Sequence, residues 1–266
     1  MLHVSPEDPR IADYLNVPDP ELLASRGIFV AEGRHVVRRL LTESRFRTRS
    51  LLLTAAALDV LRDLLDRLPD LPIFVVEQSD MHEITGFNIH RGCLAVGERP
   101  APVEWTDIVR NARRVVVLEH VANADNVGGI FRNAAAFGAD AVLVGPSCTD
   151  PLYRKAIRTS MGAALRVPFA AMADWPADLI RLRERGFSVV ALTPEASAVP
   201  LQRCAPALRD DRVALLVGHE GEGLSPGALQ AATVRVRVPT SDAVDSLNVA
   251  AAAAIALYEL RTDCKS

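Results

Sequence analysis

The 266-residue sequence predicts an α/β protein of two units, on three observations. Short apolar runs alternate with helix-like stretches along the chain, the pattern of strands covered by helices. The run 98–103, with Pro100 and Pro102, interrupts that alternation as an interdomain linker does. A composition of 49% hydrophobic and 24% charged residues is ordinary for a globular chain, and this length leans towards two cores.

Taken in order, residues 1–98 carry a helix candidate over 32–41, a strand over 50–53, a helix over 56–68 and a strand over 72–76. That suffices for a small N-terminal α/β unit, followed by a linker over 99–112. In 113–266 the apolar runs 115–118, 141–144, 188–192, 213–217 and 234–238 are separated by helical segments. Runs that are apolar on both sides imply a mostly parallel sheet with helices on both faces. The last segment, 248–261, is alanine-rich and contains Ile255, Leu257 and Leu260. It is a strong helix former that is apolar over much of its circumference, so it belongs in the core or between subunits.

Composition narrows the function. No run approaches the roughly 20 apolar residues of a membrane span, and the first residues lack a basic segment followed by an apolar signal core, so a cytosolic protein without a membrane partner is expected. A net charge of −3 and a pI near 6.1 exclude a protein that coats nucleic acid unspecifically; any such site is a local patch. Cys93, Cys148, Cys204 and Cys264 lie far apart with no CxxC pair. His35, His82, His90 and His120 have no spacing that specifies a metal or a nucleophilic triad, so no metal is expected.

Three stretches carry chemistry. Asn126, Gly128, Gly129 and Arg132 follow the strand ending near Glu119 and open a helix running to about Phe137. The glycines would let a ligand approach the helix start, with Arg132 about one turn further in; alternatively Asn126 only caps the helix and the glycines only pack. A dinucleotide site is disfavoured because the GxGxxG fingerprint is incomplete. The second stretch, 218–224, follows the strand over 213–217. It lacks a Gly-Lys-Ser/Thr, and Glu220 and Glu222 occupy the place of polyphosphate charge. Such a loop suits an uncharged adenosine and a cationic sulfonium, or else is a structural glycine turn; His219 lies inside it. The third is Val238-Pro239 and then Asp245, Ser246, Leu247 and Asn248 at the mouth of the last helix. Asp245 or Ser246 is a candidate cap, whereas the Asn248 amide, if buried, must find partners in protein or ligand.

In this order and at these separations the three stretches resemble the motifs of the SpoU/TrmH family of RNA ribose 2′-O-methyltransferases, within the SPOUT class, over about 115–260. Asn126, Gly128 and Arg132 match the first motif, and Gly218, Glu220, Gly223 and Leu224 the second. Pro239, Ser246, Leu247, Asn248, Tyr258 and Glu259 match the third. The stretch 32–41 is similar to the opening of the small ribosomal-protein-like substrate-binding domain of such enzymes. The resemblance implies S-adenosylmethionine as cofactor, a deep trefoil knot in the C-terminal domain, and a homodimer with catalytic sites at the subunit interface. It implies cofactor contacts from Thr193, Gly218, Glu220, Gly223, Val238, Pro239 and Leu247, and catalytic roles for Asn126, Arg132, Glu220, Ser246 and Asn248. By the same resemblance Arg132 sits at the target ribose. A free guanidinium stays protonated below a pH of about 12, so we read its role as gripping the neighbouring phosphate and stabilising the developing alkoxide.

RNA needs cations elsewhere. Between Arg34 and Arg49 there are six arginines and one glutamate, and the stretch 151–169 contains no acid. Arg34, Arg38, Arg154, Lys155 and Arg158 are therefore candidate phosphate contacts. The sequence leaves open whether the RNA is ribosomal or transfer RNA. It also leaves two alternatives: a non-catalytic RNA-binding protein of the same fold, or a base-methylating SPOUT enzyme.

Overall fold

The computed structural model describes residues 1–15, 18–85, 92–241 and 246–261; Asp245, His90 and Cys264 lie outside them. Packing divides the chain into Met1–Ala101 with Pro151–Arg166, and Pro102–Asp150 with Val167–Ser266. The expected continuous second unit, 113–266, is thus interrupted. The reason lies in the side chains of the inserted stretch. Ile157, Ala164 and Leu165 are fully buried. The Arg154 backbone N–H and Nε both donate to Asp19, at 3.0 and 2.9 Å, and the Ser44 hydroxyl donates to the Leu165 carbonyl at 3.2 Å.

The first unit holds a five-stranded sheet of β1 (Leu2–His3), β2 (Ile28–Glu32), β3 (Thr48–Leu53), β4 (Ile73–Val75) and β5 (Cys93–Glu98), in the order β1-β4-β3-β5-β2. The sequence reading passed over β2 and β5, which pair antiparallel. β2 ends where Gly33 takes a φ of 96°, a left-handed value that favours glycine. The helix expected from residue 32 accordingly starts at Arg34 and runs to Thr42.

The second unit is a seven-stranded sheet of β6 (Arg114–Leu118), β7 (Ala141–Val144), β8 (Phe169–Ala171), β9 (Phe187–Leu192), β10 (Val199–Pro200), β11 (Arg212–Val217) and β12 (Val234–Arg237). Its order is β10-β12-β9-β11-β6-β7-β8, and every pair is parallel. The five apolar runs singled out above all form strands; β8 and β10 are additional. Val115, Val117, Leu143, Val189 and Leu216 pack into one core. Their neighbours Val116, Leu118, Val142, Val190 and Leu215 point to the opposite face and are equally buried, as expected for a parallel sheet covered on both sides.

Strand order positions the site. The chain lays down β7 and β8 on one side of β6, then crosses over to β9, leaving a gap that β11 later fills. Ligands of open α/β sheets bind beyond the carboxyl ends of strands at such a reversal.

Candidate active site

A cleft of about 290 Å³ opens at the carboxyl ends of β9, β11 and β12. Leu192, Val217, Val238 and Leu247 supply apolar walls, and Thr193, Glu220, Arg237 and Ser246 supply polar groups. The loop after β11 turns back on itself: the His219 and Gly223 backbones exchange two hydrogen bonds, at 3.2 and 3.0 Å. Gly218 is obligatory for that approach, because a Cβ there would lie 2.6 Å from the Gly223 carbonyl oxygen. Inside the turn, the Gly221 and Glu222 N–H groups donate to His219 Nδ1 at 3.0 and 3.1 Å.

A second cleft, about 340 Å³, lies at the end of β6 and is lined by His120, Asn123 and Asn126. It shares His219, Glu220 and Val249 with the first. Asn248 ties the partition together. Its Nδ2 donates to Asn126 Oδ1 at 2.9 Å and to Glu220 Oε1 at 2.6 Å, while its Oδ1 accepts the N–H groups of Ala250 and Ala251. The three stretches, far apart in sequence, meet at one amide.

That geometry corrects the capping expectations. The helix Ala124–Ala136 is capped by Asn123, whose side chain accepts the Asp125 N–H at 2.8 Å, so Asn126 falls inside the first turn. Being 6% exposed, Asn126 uses its oxygen on Asn248. The helix Val249–Leu260 is capped by Asn248 itself, not by Ser246. Gly129 serves helix packing rather than a ligand: a Cβ there would lie 2.9 Å from Ala250 Cβ, so its absence allows the two helices to touch.

Residues 113–258 match the model of the SpoU rRNA Methylase family. The chain belongs to this family. An uncharacterised tRNA/rRNA methyltransferase of Mycobacterium tuberculosis H37Rv is 45% identical over 258 residues, covering 96% of this chain and 89% of that one. The 23S rRNA (guanosine(2553)-2′-O)-methyltransferase of Bacillus subtilis is 24% identical over 97% of this chain and 98% of its own. Among solved structures, the AdoMet-bound rRNA methyltransferase from Sinorhizobium meliloti superposes with a TM-score of 0.82 at 25% identity, covering 97% of both chains. The SpoU-family chain is accordingly an RNA methyltransferase with an α/β fold.

Of the residues anticipated in this SpoU-family site, Thr193, Gly218, Glu220, Gly223, Val238, Ser246 and Leu247 line the first cleft, and Asn126 and Glu220 the second. Pro239 lines neither. Arg132 also lies outside both linings; it is exposed on the helix Ala124–Ala136 and has no hydrogen bond or ion pair among the described residues. The sequence reading missed Arg237, Thr240 and Asn123 as lining residues and left His120 without a role. The available signal was position: each lies at or just after the carboxyl end of a strand.

Glu119 was missed as well. It is fully buried, and its carboxyl group accepts Trp175 Nε1–H at 2.7 Å, the Ser225 N–H at 2.8 Å and the Ser225 hydroxyl at 2.5 Å. Ser225 in turn caps the helix Pro226–Ala231, so Glu119 pins the exit of the 218–224 loop to β6.

In the first unit, Arg38, Arg154 and Arg158 have acidic protein partners. Arg38 forks onto Asp63 with two 3.0 Å bonds, Arg154 is held by Asp19, and Arg158 lies 3.6 Å from Glu32. Arg34 keeps a buried Nε with no hydrogen-bond partner among the described residues. No group of three or more metal-ligating side chains occurs among the described residues, and no helix there is long and apolar enough to cross a membrane.

Proposed function

We propose that this SpoU-family enzyme transfers a methyl group from S-adenosylmethionine to a ribose 2′-hydroxyl of structured ribosomal or transfer RNA, in the cytosol. The observation that carries this reading is the Asn248 amide, which joins Asn126 and Glu220 between two adjoining clefts. One cleft suits the donor and its neighbour the acceptor. The name of the Bacillus subtilis relative, a 2′-O-methyltransferase, supports ribose over base.

The first cleft fits the cofactor chemically. Leu192, Val217, Val238 and Leu247 would enclose an adenine, backbone groups at Thr193, Gly218, Val238 and Leu247 would bond to it, and Glu220 would face a positive sulfonium. When bound, S-adenosylmethionine supplies an electrophilic methyl that leaves with its bonding pair on sulfur. The protein's contribution is alignment of the hydroxyl and easing of its proton loss. Asn248 holds Glu220 in place, Ser246 adds a hydroxyl at the cleft wall, and Arg132 grips the RNA phosphate and offsets charge on the ribose oxygen.

Arg132 is exposed and lines neither cleft of its own chain, which supports a homodimer in which it serves the partner's site. Ala251, Ile255 and Tyr258, at i, i+4 and i+7 on the last helix, form an exposed apolar stripe suited to that interface. The deep trefoil knot of the SPOUT class belongs to the same proposal, as does RNA holding by the first unit, Met1–Ala101 with Pro151–Arg166. There Arg34, Arg38, Arg154, Lys155 and Arg158, with the 81% exposed Arg47 side chain, would meet phosphate.

Calorimetry with S-adenosylmethionine, then labelled transfer to RNA and nuclease mapping of the product, tests the reading. Methyl on ribose is expected. The Arg132→Ala protein should keep its cofactor Kd and lose about a hundredfold in turnover. Methyl on a base would replace the ribose reading, and an unimpaired Arg132→Ala enzyme would remove Arg132 from the site.

A further inference from the structure

The loop after β11 contains a side chain that the motif comparison leaves without a role. His219 Nδ1 accepts two backbone N–H groups, from Gly221 at 3.0 Å and Glu222 at 3.1 Å. A ring nitrogen that accepts cannot carry the proton, so in this arrangement the imidazole is the Nε2–H tautomer. Among the described residues Nε2 has no hydrogen-bond partner, and the exposed ring lines both clefts.

A ribose with its flanking phosphates presents mainly oxygen acceptors, and Glu220 on the shared wall offers only acceptors. The amides of Asn123 and Asn126 have their oxygens committed and can offer Nδ2–H donors at the β6 end of the cleft, while the His219 Nε2–H is the donor that lines both clefts. We propose that His219 positions the acceptor nucleotide: its Nε2–H donates to a ribose or phosphate oxygen of the RNA beside the methyl donor. This rests on the ribose reading above. It also removes His219 as the base for the 2′-hydroxyl proton, since Nε2 already carries a proton and Nδ1 is turned to the backbone.

Two substitutions separate the ring's two ends. His219→Asn puts an amide oxygen near the place of Nδ1, keeping the acceptor for the turn and removing the distal donor. His219→Gln extends an N–H towards the place of Nε2 and gives up the turn acceptor. At saturating cofactor, His219→Asn should raise the KM for RNA roughly tenfold, the worth of one well-placed hydrogen bond, with cofactor Kd within about twofold of wild type. His219→Gln should keep the RNA KM within about threefold and weaken cofactor binding. An unchanged RNA KM in His219→Asn overturns the assignment, as does a loss confined to its cofactor affinity or to kcat. Equal RNA losses in both variants also overturn it, because the turn rather than the donor would then be what RNA requires. If the wild-type product maps to a base, the ribose reading fails, while the same KM comparison still judges the His219 donor.

Discussion

Replacing Asn248 separates its structural and functional bonds. In Asn248→Ala the cap of the last helix is lost, about 1 kcal/mol, together with two donor bonds that contribute about 1 kcal/mol more at this solvent-exposed position. For a unit of this size, about 2 kcal/mol lowers Tm by roughly 4–8 °C. Asn248→Asp keeps the oxygen that accepts the Ala250 and Ala251 N–H groups, and its negative charge suits a helix N-terminus, so its Tm should stay within roughly 3 °C of wild type. The same substitution turns the donor facing Glu220 Oε1, now 2.6 Å away, into a second carboxylate. Like charges repel by about 1 kcal/mol at 4 Å even in water, enough to swing Glu220 out of the partition. Methyl transfer should therefore fall at least about tenfold in both variants, while only Ala loses thermal stability. Differential scanning fluorimetry and labelled-methyl assays on the same samples read both quantities. An Asp variant with wild-type turnover would refute the argument that the meeting of the three loops serves catalysis.

Glu119→Ala strands three donors in a dry site and should cost on the order of 3–5 kcal/mol by urea denaturation, with Glu119→Gln recovering roughly half; a neutral Ala variant would mean that Trp175 and Ser225 find other partners. Burial pushes the Cys93 thiol from 9.0 up to about 12 and that of Cys148 up to about 11. These folded values exceed the unfolded one, so the associated stability is fully present below pH 9 and declines as pH rises towards 12. Tyr14, also raised by burial, acts in the same direction. The urea midpoint should drop between pH 8 and 10.5, and Cys93→Ala should flatten the slope; an equal slope would assign the effect elsewhere. For the homodimer proposed above, Ile255→Glu, at a position 39% exposed within one chain, should leave the fold intact and sediment as a monomer where the wild type sediments as a dimer, and a variant that still sediments as a dimer would remove this helix from the interface.

The sequence by itself determined the parallel sheet and the membership of the three loops, because both are local facts. Runs such as 115–118 and 213–217 are short, rich in β-branched residues and apolar at every position, which suits a strand covered on both faces, and motif spacing survives without coordinates. β2 and β5 carry the same local signal, apolar and buried over 28–31 and 93–96, and the sequence reading passed over them; only their antiparallel pairing, across some 65 residues, is non-local. Tertiary structure alone decided that Asn123 rather than Asn126 caps its helix, and that Pro151–Arg166 packs with the first unit. It also decided that Arg38 and Arg154 answer to Asp63 and Asp19. Each of these depends on which hydrogen-bonding group arrives from a distant part of the chain. Whether an amide caps a helix, bonds across a cleft or meets solvent is settled by that arrival, since its local propensity is the same in all three.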